Sequence, residues 1–329
     1  MRSASATVDG AVVRECIRTA VAAVSVHNTQ PWLFRIRDDG VDVLVDRQRQ
    51  LKILDPTGRE MFVSVGAAVF NLRVAARARA LDLGVELAPD PSDPDLAARI
   101  RWRGPAEVTA AARALAEAVG RRHTNRRPFA DRPVPDDVLT DLTTAASVEG
   151  TTMLVADEVL RGGILSLTRT AENRLRSDPR YRTELQQWTT PGGVGRRDGV
   201  PRQALGPRAT DAAIPMRELA LGHGMSTAAV AFEPNPTIAL LFSVHDTPAD
   251  WLRAGGALQR ILLTATVHGL AATPLSQLTE VPALRALVCD HATGQVQTVL
   301  RIGYPMTPAV ATPRRSLDEV IIIGRPGDA

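Results

Sequence analysis

The stretch Ala23-Val24-Ser25-Val26-His27-Asn28-Thr29-Gln30-Pro31-Trp32 decides how the rest of the chain is read. It sets a hydroxyl, an imidazole and two amides between an amphipathic segment and an apolar one, and Pro31-Trp32 fixes the backbone entering the latter. Side chains of these types offer donors and acceptors that suit the edge of a flat polar heterocycle. The same residues also suit a helix C-cap and turn with Trp32 in a core, and residue types alone leave both readings open.

Working outward, Val13, Cys16, Ile17, Ala20, Val21 and Val24 fall on one face of a helix predicted over 9–24. On the other side, WLFRIR, the turn pair Asp39-Gly40 and VDVLVD predict a β-hairpin. Thr57-Gly58-Arg59-Glu60 has capping-box spacing, and the apolar positions from Met61 to Leu72 predict a buried helix running to about Leu83. Strands are expected near 85–88 and 97–102, then a helix over about 106–120 leading into a basic cluster of Arg121, Arg122, Arg126 and Arg127.

The pattern then restarts. Pro135 opens a helix to about Ser147, followed by the strand TTMLVA, a helix from about Glu158, the strand TIALLFSV, a helix over 248–268 and the strand QTVLRIGY. A shift of 190 positions lays Gly66, Ala67, Leu72 and Ala75 over Gly256, Ala257, Leu262 and Ala265. Two units are therefore expected, residues 1–120 and 121–329. Residues 186–225, dominated by Gly, Pro and Arg, interrupt the second unit and are too long for an ordinary connection, so they read as a lid.

Composition narrows the chemistry. The 329 residues can bury two cores without a disulfide or metal staple. Cys16 and Cys289 stand alone on apolar stretches and read as buried thiols, which fits a reducing cytoplasm. No signal peptide or bilayer-spanning run is present in the sequence, so no membrane partner is expected. Net charge is only +3, 4% of residues are aromatic, and no nucleic-acid motif accompanies the arginine cluster, so an anionic small molecule is the expected partner rather than nucleic acid. There is no GxSxG, HExxH, EF-hand or P-loop pattern, and the six histidines never pair at metal-ligand spacing, so no metal is expected.

With these residues in view, the stretch Ala23–Trp32 resembles the "(A/S)PSSxNxQPW" signature of the FMN-dependent nitroreductase superfamily. It matches at Ser25, Asn28, Gln30, Pro31 and Trp32, with Val24 in place of the proline and Val26 in place of the second serine. Arg122-His123-Thr124-Asn125-Arg126, followed by Phe129, resembles the family's "RxSxx(R/K)xF" element, which implies contacts to the FMN phosphate and the pyrimidine end of its ring. Pro313-Arg314-Arg315-Ser316-Leu317 resembles the C-terminal basic pair that completes the phosphate grip. Gly269 to Gln277 resembles the segment whose backbone N–H faces flavin N5, which makes Ser276 and Gln277 the candidates, and Asn71 matches the family's helical asparagine.

The resemblance implies an α+β, nitroreductase-like fold with central mixed sheets flanked by helices. The order of motifs departs from the family, because the Ser/Asn/Gln motif sits only in the first unit and the basic motif only in the second. A fused pair of units imitating a homodimer, with one flavin site, explains this and resembles the actinobacterial Acg-like branch. The implied cofactor-binding residues are Ser25, His27, Asn28, Gln30, Trp32, Arg122, His123, Thr124, Arg126, Ser276, Gln277, Arg314 and Arg315. The implied activity is NAD(P)H-dependent transfer of hydride through FMN to a small-molecule acceptor such as a nitroaromatic or quinone, with no side-chain nucleophile. A flavin-sequestering protein whose lid covers the ring stands as the alternative. A monomer suffices for such a site, and a homodimer remains compatible with it.

Overall fold

The computed structural model describes residues 8–190, 195–210, 214–221, 227–289 and 294–322. Helix α1 (Gly10–Ala20) starts where the Asp9 carboxylate accepts from the Ala11 N–H at 2.8 Å, and it buries Val13, Cys16, Ile17 and Ala20 as the periodicity predicts. The hairpin of β1 (Trp32–Arg37) and β2 (Gly40–Val45) follows, then α2 (Arg59–Arg77), β3 (Leu81–Leu87), β4 (Leu96–Pro105) and α3 (Ala110–Arg121).

The second half holds α4 (Asp136–Val148), β5 (Thr152–Val155), α5 (Glu158–Ser177) and α6 (Pro179–Trp188). Four two-residue strands come next, β6 (Thr189–Thr190), β7 (Val200–Pro201), β8 (Arg208–Ala209) and β9 (Ala229–Val230). It continues with β10 (Thr237–Ser243), α7 (Pro248–Val267), β11 (Ala271–Pro274), α8 (Gln277–Glu280), α9 (Pro282–Arg285), β12 (Gln295–Gly303), α10 (Leu317–Val320) and β13 (Ile321–Ile322).

One sheet has the order β13-β1-β2-β4-β3 and the other β11-β12-β10-β5. Setting β1, β2, β3 and β4 against β5, β10, β11 and β12 gives the same spatial order in both sheets. All these neighbours pair antiparallel, whereas β13 returns from the end of the chain to pair parallel with β1, Phe34 against Ile321. Helices α2 and α7 cross at glycines: a Cβ on Gly66 would lie 2.1 Å from the Leu252 carbonyl oxygen, and one on Gly255 would lie 2.0 Å from that of Val63. Only hydrogen side chains let the two backbones meet this closely. One apolar core joins α1 and α2 to the first sheet, and a second joins α4 and α7 to the other.

Several expectations need correction. The two-residue turn is Asp38-Asp39, because Arg37 pairs with Gly40; Gly40 is needed instead inside β2, where a Cβ would lie 1.8 Å from the Ile100 carbonyl oxygen of β4. The capping box at Thr57 does not form. Gly58 takes the N-cap position with φ of 81°, the Asp55 carboxylate accepts from the Met61 N–H at 2.9 Å, and Glu60 turns inward. Helix α2 ends at Arg77 rather than near Leu83, because Leu81, Leu83, Val85 and Leu87 alternate with period two and enter a sheet. Pro135 is the N-cap of α4 rather than its first residue, and Cys289 is only partly buried while Cys16 is fully so. Between β5 and β10 the chain runs through α5 and α6 before the 186–225 interval. Among the described residues no helix is long and apolar enough to cross a membrane.

Candidate functional site

The loop between α1 and β1 carries three non-glycine residues with left-handed backbones: His27 at φ 45°, Asn28 at 55° and Gln30 at 52°. Such conformations persist only where the surroundings hold them. Here the Val26 N–H donates to Ser64 Oγ at 3.1 Å, the Gln30 N–H to Ser25 Oγ at 3.1 Å, and the Val24 N–H to Gln259 Oε1 at 3.3 Å. Gln259 is itself held by a bond from its Nε2 to Asn71 Oδ1 at 2.9 Å, so Asn71 ties α2 to α7 beneath the loop. Trp32 is fully buried in the first core.

Against this loop lies a cavity of about 80 Å³ bordered by Ser25, His27, Glu60, Thr124, Arg126, Arg217 and Ser276. Its charges are unusual. Both ring nitrogens of His27 are buried without a partner among the described residues, and burial, reinforced by Arg217 and Arg126, holds its pKa well below the ordinary histidine value. Burial likewise draws Arg126 down to about 10, with Arg217 adding to the effect. Burial also opposes the charge on Arg217, but Glu280, Tyr181 and Glu172 outweigh it and raise its pKa. Glu60 is pushed up to about 7 by burial, which outweighs Arg59 and is reinforced by Glu280 and Asp55.

A second cationic group lies beyond the loop. Arg122 is drawn down to about 9 by burial and by Arg314, Arg314 to about 10 by burial, and His123 downward by burial and then by both arginines. Arg122 donates to the Ala22 carbonyl at 3.1 Å, and Arg314 to Asn28 Oδ1 at 3.0 Å and Thr312 Oγ1 at 2.6 Å. Among the described residues, none of Arg122, Arg126 and Arg314 has a carboxylate within ion-pair distance, and the Nε of both Arg122 and Arg314 is buried without a partner. Buried, unpaired cations are costly, and an anion placed among them removes that cost. The basic segment is anchored from behind: the Phe129 N–H donates to Glu233 at 2.9 Å, and the fully buried Arg301 pairs with Glu233 while its guanidinium lies 3.8 Å from the Phe129 ring centroid.

The structure separates residues that the sequence groups together. Arg315 lies apart from Arg314: its guanidinium donates to the carbonyls of Gln30 at 3.1 Å and Glu319 at 2.6 Å and approaches Asp46 at 3.4 Å, so it fastens the loop and does not join the carboxylate-free group. Gln277 is buried and donates to the Pro215 carbonyl at 2.9 Å, whereas Ser276 borders the cavity and accepts from Arg217. The amides of Asn28 and Gln30 clasp the 195–210 segment. Asn28 Nδ2 donates to the Gly199 carbonyl at 2.9 Å, the Gly199 N–H returns to the Asn28 carbonyl at 3.1 Å, and Gln30 Nε2 donates to the Arg197 carbonyl at 2.8 Å. Asp198 pairs with Arg49 at 2.8 Å, Arg126 donates to the Ala204 carbonyl at 3.1 Å, and Met216, Arg217 and Leu219 reach the cavity wall.

Glu60, Arg217 and Glu280 are site residues that sequence reading misses. Glu60 reads as a helix cap and Arg217 as one more arginine in a turn-rich segment, and only the fold brings Glu280 against it.

No family model matches the chain. It is 31% identical over 94% of its length to a Mycobacterium tuberculosis protein provisionally named NAD(P)H nitroreductase acg, covering 95% of that protein. It is 33% identical over 95% of its length to another from the same organism, provisionally named NAD(P)H nitroreductase Rv3131, covering 92% of that one. Among solved structures it is similar to the FMN-dependent nitroreductase NfnB of Mycobacterium smegmatis in complex with NADPH, at 18% identity and a TM-score of 0.40, covering 65% of this chain and 100% of that one. A nitroreductase with bound FMN from Bacteroides fragilis gives 14% identity and a TM-score of 0.39, covering 64% and 98%.

Proposed function

The chain belongs to the NAD(P)H nitroreductase family of its acg-like relatives, and from that premise we propose that it is an FMN-binding flavoprotein. In this reading two tandem units, residues 1–120 and 121–329, imitate a family dimer and retain one flavin site between them. The observation that carries it is the set of buried arginines, Arg122, Arg126 and Arg314, that have no carboxylate within ion-pair distance among the described residues and lie around one loop in two groups. A ligand with a dianion at one end and, at the other, a polar ring that gains negative charge on reduction would meet both groups.

Arg122, Arg314 and His123 would hold the phosphate through charge-assisted bonds. Arg126 and Thr124 would meet the pyrimidine edge, and Ser25, His27 and Ser276 the remainder of the ring. Bound there, FMN would supply two-electron hydride transfer between NAD(P)H and a small acceptor such as a nitroaromatic or quinone. The protein's part is to orient the ligand, supply cations beside it and exclude water.

A second reading is favoured by one specific observation, the clasp. Asn28 and Gln30 hold Arg197–Gly199 through three hydrogen bonds, and Met216, Arg217 and Leu219 from the 214–221 segment line the cavity wall. A segment held this firmly would restrict access of a nicotinamide, and the protein would then hold flavin with little turnover.

The visible spectrum of the purified, FMN-reconstituted protein during anaerobic NADPH addition separates the two. Prompt bleaching of a flavin band supports the reductase. A band that persists under NADPH and bleaches with dithionite supports the flavin-holding protein, and the absence of any flavin band overturns both.

A further inference from the structure

The cavity has one acid on its wall among the described residues, Glu60, at the first turn of α2. One oxygen, Oε1, takes a bond from Arg59 at 2.5 Å and lies 3.5 Å from the Thr279 hydroxyl. The other, Oε2, has no hydrogen-bond partner among the described residues, yet it is not among the buried unpartnered atoms. A carboxyl tethered by one oxygen on the wall of a small, largely apolar cavity is placed to exchange a proton with whatever enters.

The second half of the molecule supplies an internal control. A shift of 190 positions lays Thr57 and Glu60 over Thr247 and Asp250. Thr247 and Asp250 form a reciprocal capping box at the start of α7, so that acid is spent on its own helix. At the start of α2 the box is missing and the Asp55 carboxylate serves the Met61 N–H instead, which releases Glu60 for the cavity. Its other cavity neighbours cannot do the same work. His27 is held in its neutral form at neutral pH, and Arg126 and Arg217 keep their charge there.

We propose that the Glu60 carboxyl is a catalytic residue, the donor of the proton that accompanies reduction of an acceptor at this site. The inference rests on the flavoprotein reading given above. With a quinone as acceptor, bound FMN would supply the hydride and the Glu60 carboxyl would supply one proton. The new O–H bond forms at a quinone oxygen as the carboxyl O–H bond breaks, its electron pair stays on the carboxylate, and water later restores the proton. Nothing else is oxidised or reduced.

The groups facing Glu60 agree with a carboxyl that keeps its proton near neutrality. Arg59 from its own helix and Arg217 from the 214–221 segment favour the anion, while Glu280 from α8 and Asp55 from the preceding turn oppose it. Burial adds to the opposition and prevails, giving the value of about 7.

Two measurements test the proposal. In the first, FMN-loaded wild type, Glu60→Gln and Glu60→Asp are reduced with dithionite and mixed with p-benzoquinone in a stopped-flow instrument across pH 5–9. The expected wild-type rate of reoxidation falls as pH rises through about 7. Glu60→Gln is slowed roughly 100- to 10,000-fold at low pH with a flat profile, and Glu60→Asp restores the pH dependence. In the second, the melting temperatures of the flavin-free wild type and Glu60→Gln are compared over the same pH range. A carboxyl whose folded pKa is raised favours the folded state at low pH and loses that advantage as pH rises from about 4.5 to about 7, so the wild type should lose stability relative to the variant across that window.

Equal rates and parallel pH profiles in loaded wild type and Glu60→Gln overturn the role of Glu60 while leaving the flavoprotein reading intact. So does a wild type that holds flavin but whose reduced form is not reoxidised by the quinone, or parallel melting curves in the second measurement. A wild type that takes up no flavin overturns the reading itself and the proposal with it.

Discussion

The two halves of the molecule share a strand order and differ most at one connection. Between β1 and β2 the chain turns in two residues, Asp38 and Asp39; between their counterparts β5 and β10 it leaves the sheet for residues 156–236. The short turn keeps the first half plain, and the nearby loop before β1 supplies Ser25, His27, Asn28 and Gln30. The long excursion carries α5, α6 and the segment that Asn28 and Gln30 clasp. Similar sheets thus host different tasks, because a β-sheet fixes its strands and leaves its connections free to vary. The helix starts repeat the contrast: Asp250 caps α7, whereas its counterpart Glu60 faces the cavity.

The comparison breaks most severely where the halves touch. Gly255→Val places branched atoms where even a Cβ would sit 2.0 Å from the Val63 carbonyl oxygen, so both cores must move apart. The expected result is a loss of about 3 kcal/mol or more, read as a large fall in melting temperature and a smaller soluble yield. A variant that melts like the wild type would mean that α2 and α7 do not hold the halves together.

The next largest effect separates the adjacent arginines. Arg122→Ala and Arg314→Ala should weaken FMN binding by about 100-fold, measured by fluorescence quenching on titration, with melting in the flavin-free state nearly unchanged. Arg315→Ala should act the other way round, lowering stability by about 2–3 kcal/mol through the orphaned Gln30 and Glu319 carbonyls while affecting flavin less. Equal flavin loss in all three would return Arg315 to the phosphate group.

The clasp gives an intermediate effect. Asp198→Ala removes the ion pair with Arg49 and should speed bleaching of bound flavin by NADPH several-fold, because the segment opens more often. An unchanged rate would show that the excursion does not gate the cavity.

The smallest effect sharpens the internal comparison itself. Thr247→Ala should cost about 1 kcal/mol in urea unfolding, because it removes a working capping box, while the matching Thr57→Ala should stay within about 0.5 kcal/mol. Equal costs would mean that the two helix starts are equivalent after all.

Much of this was legible beforehand, where the signal is local. The face of α1, the hairpin and α7 follow from residue periodicity within one element. The signature Ser25–Trp32 and the basic segment at Arg122 likewise pointed to one ligand chemistry. The end of α2 was misjudged because an apolar run of four leucines and valines spaced by two fits a strand as well as a continued helix. The cap at Thr57 was misjudged because spacing alone does not reveal that Gly58 takes the N-cap or that Asp55 competes for the first N–H groups.

By itself, then, the sequence determined the faces of the longer elements and the kinds of side chain available to a ligand, since each depends on neighbours a few residues away. Only the tertiary structure decided how each of those side chains is partnered. Arg314 and Arg315 are adjacent in the chain and both reach the loop before β1, yet Arg315 also meets the Asp46 carboxylate, while Arg314 has no carboxylate within ion-pair distance among the described residues. Glu60 and Asp250 occupy matching positions in the repeat, yet one is a cap and the other a cavity wall. Burial and long-range hydrogen bonds set these differences, and both arise only when distant segments pack together.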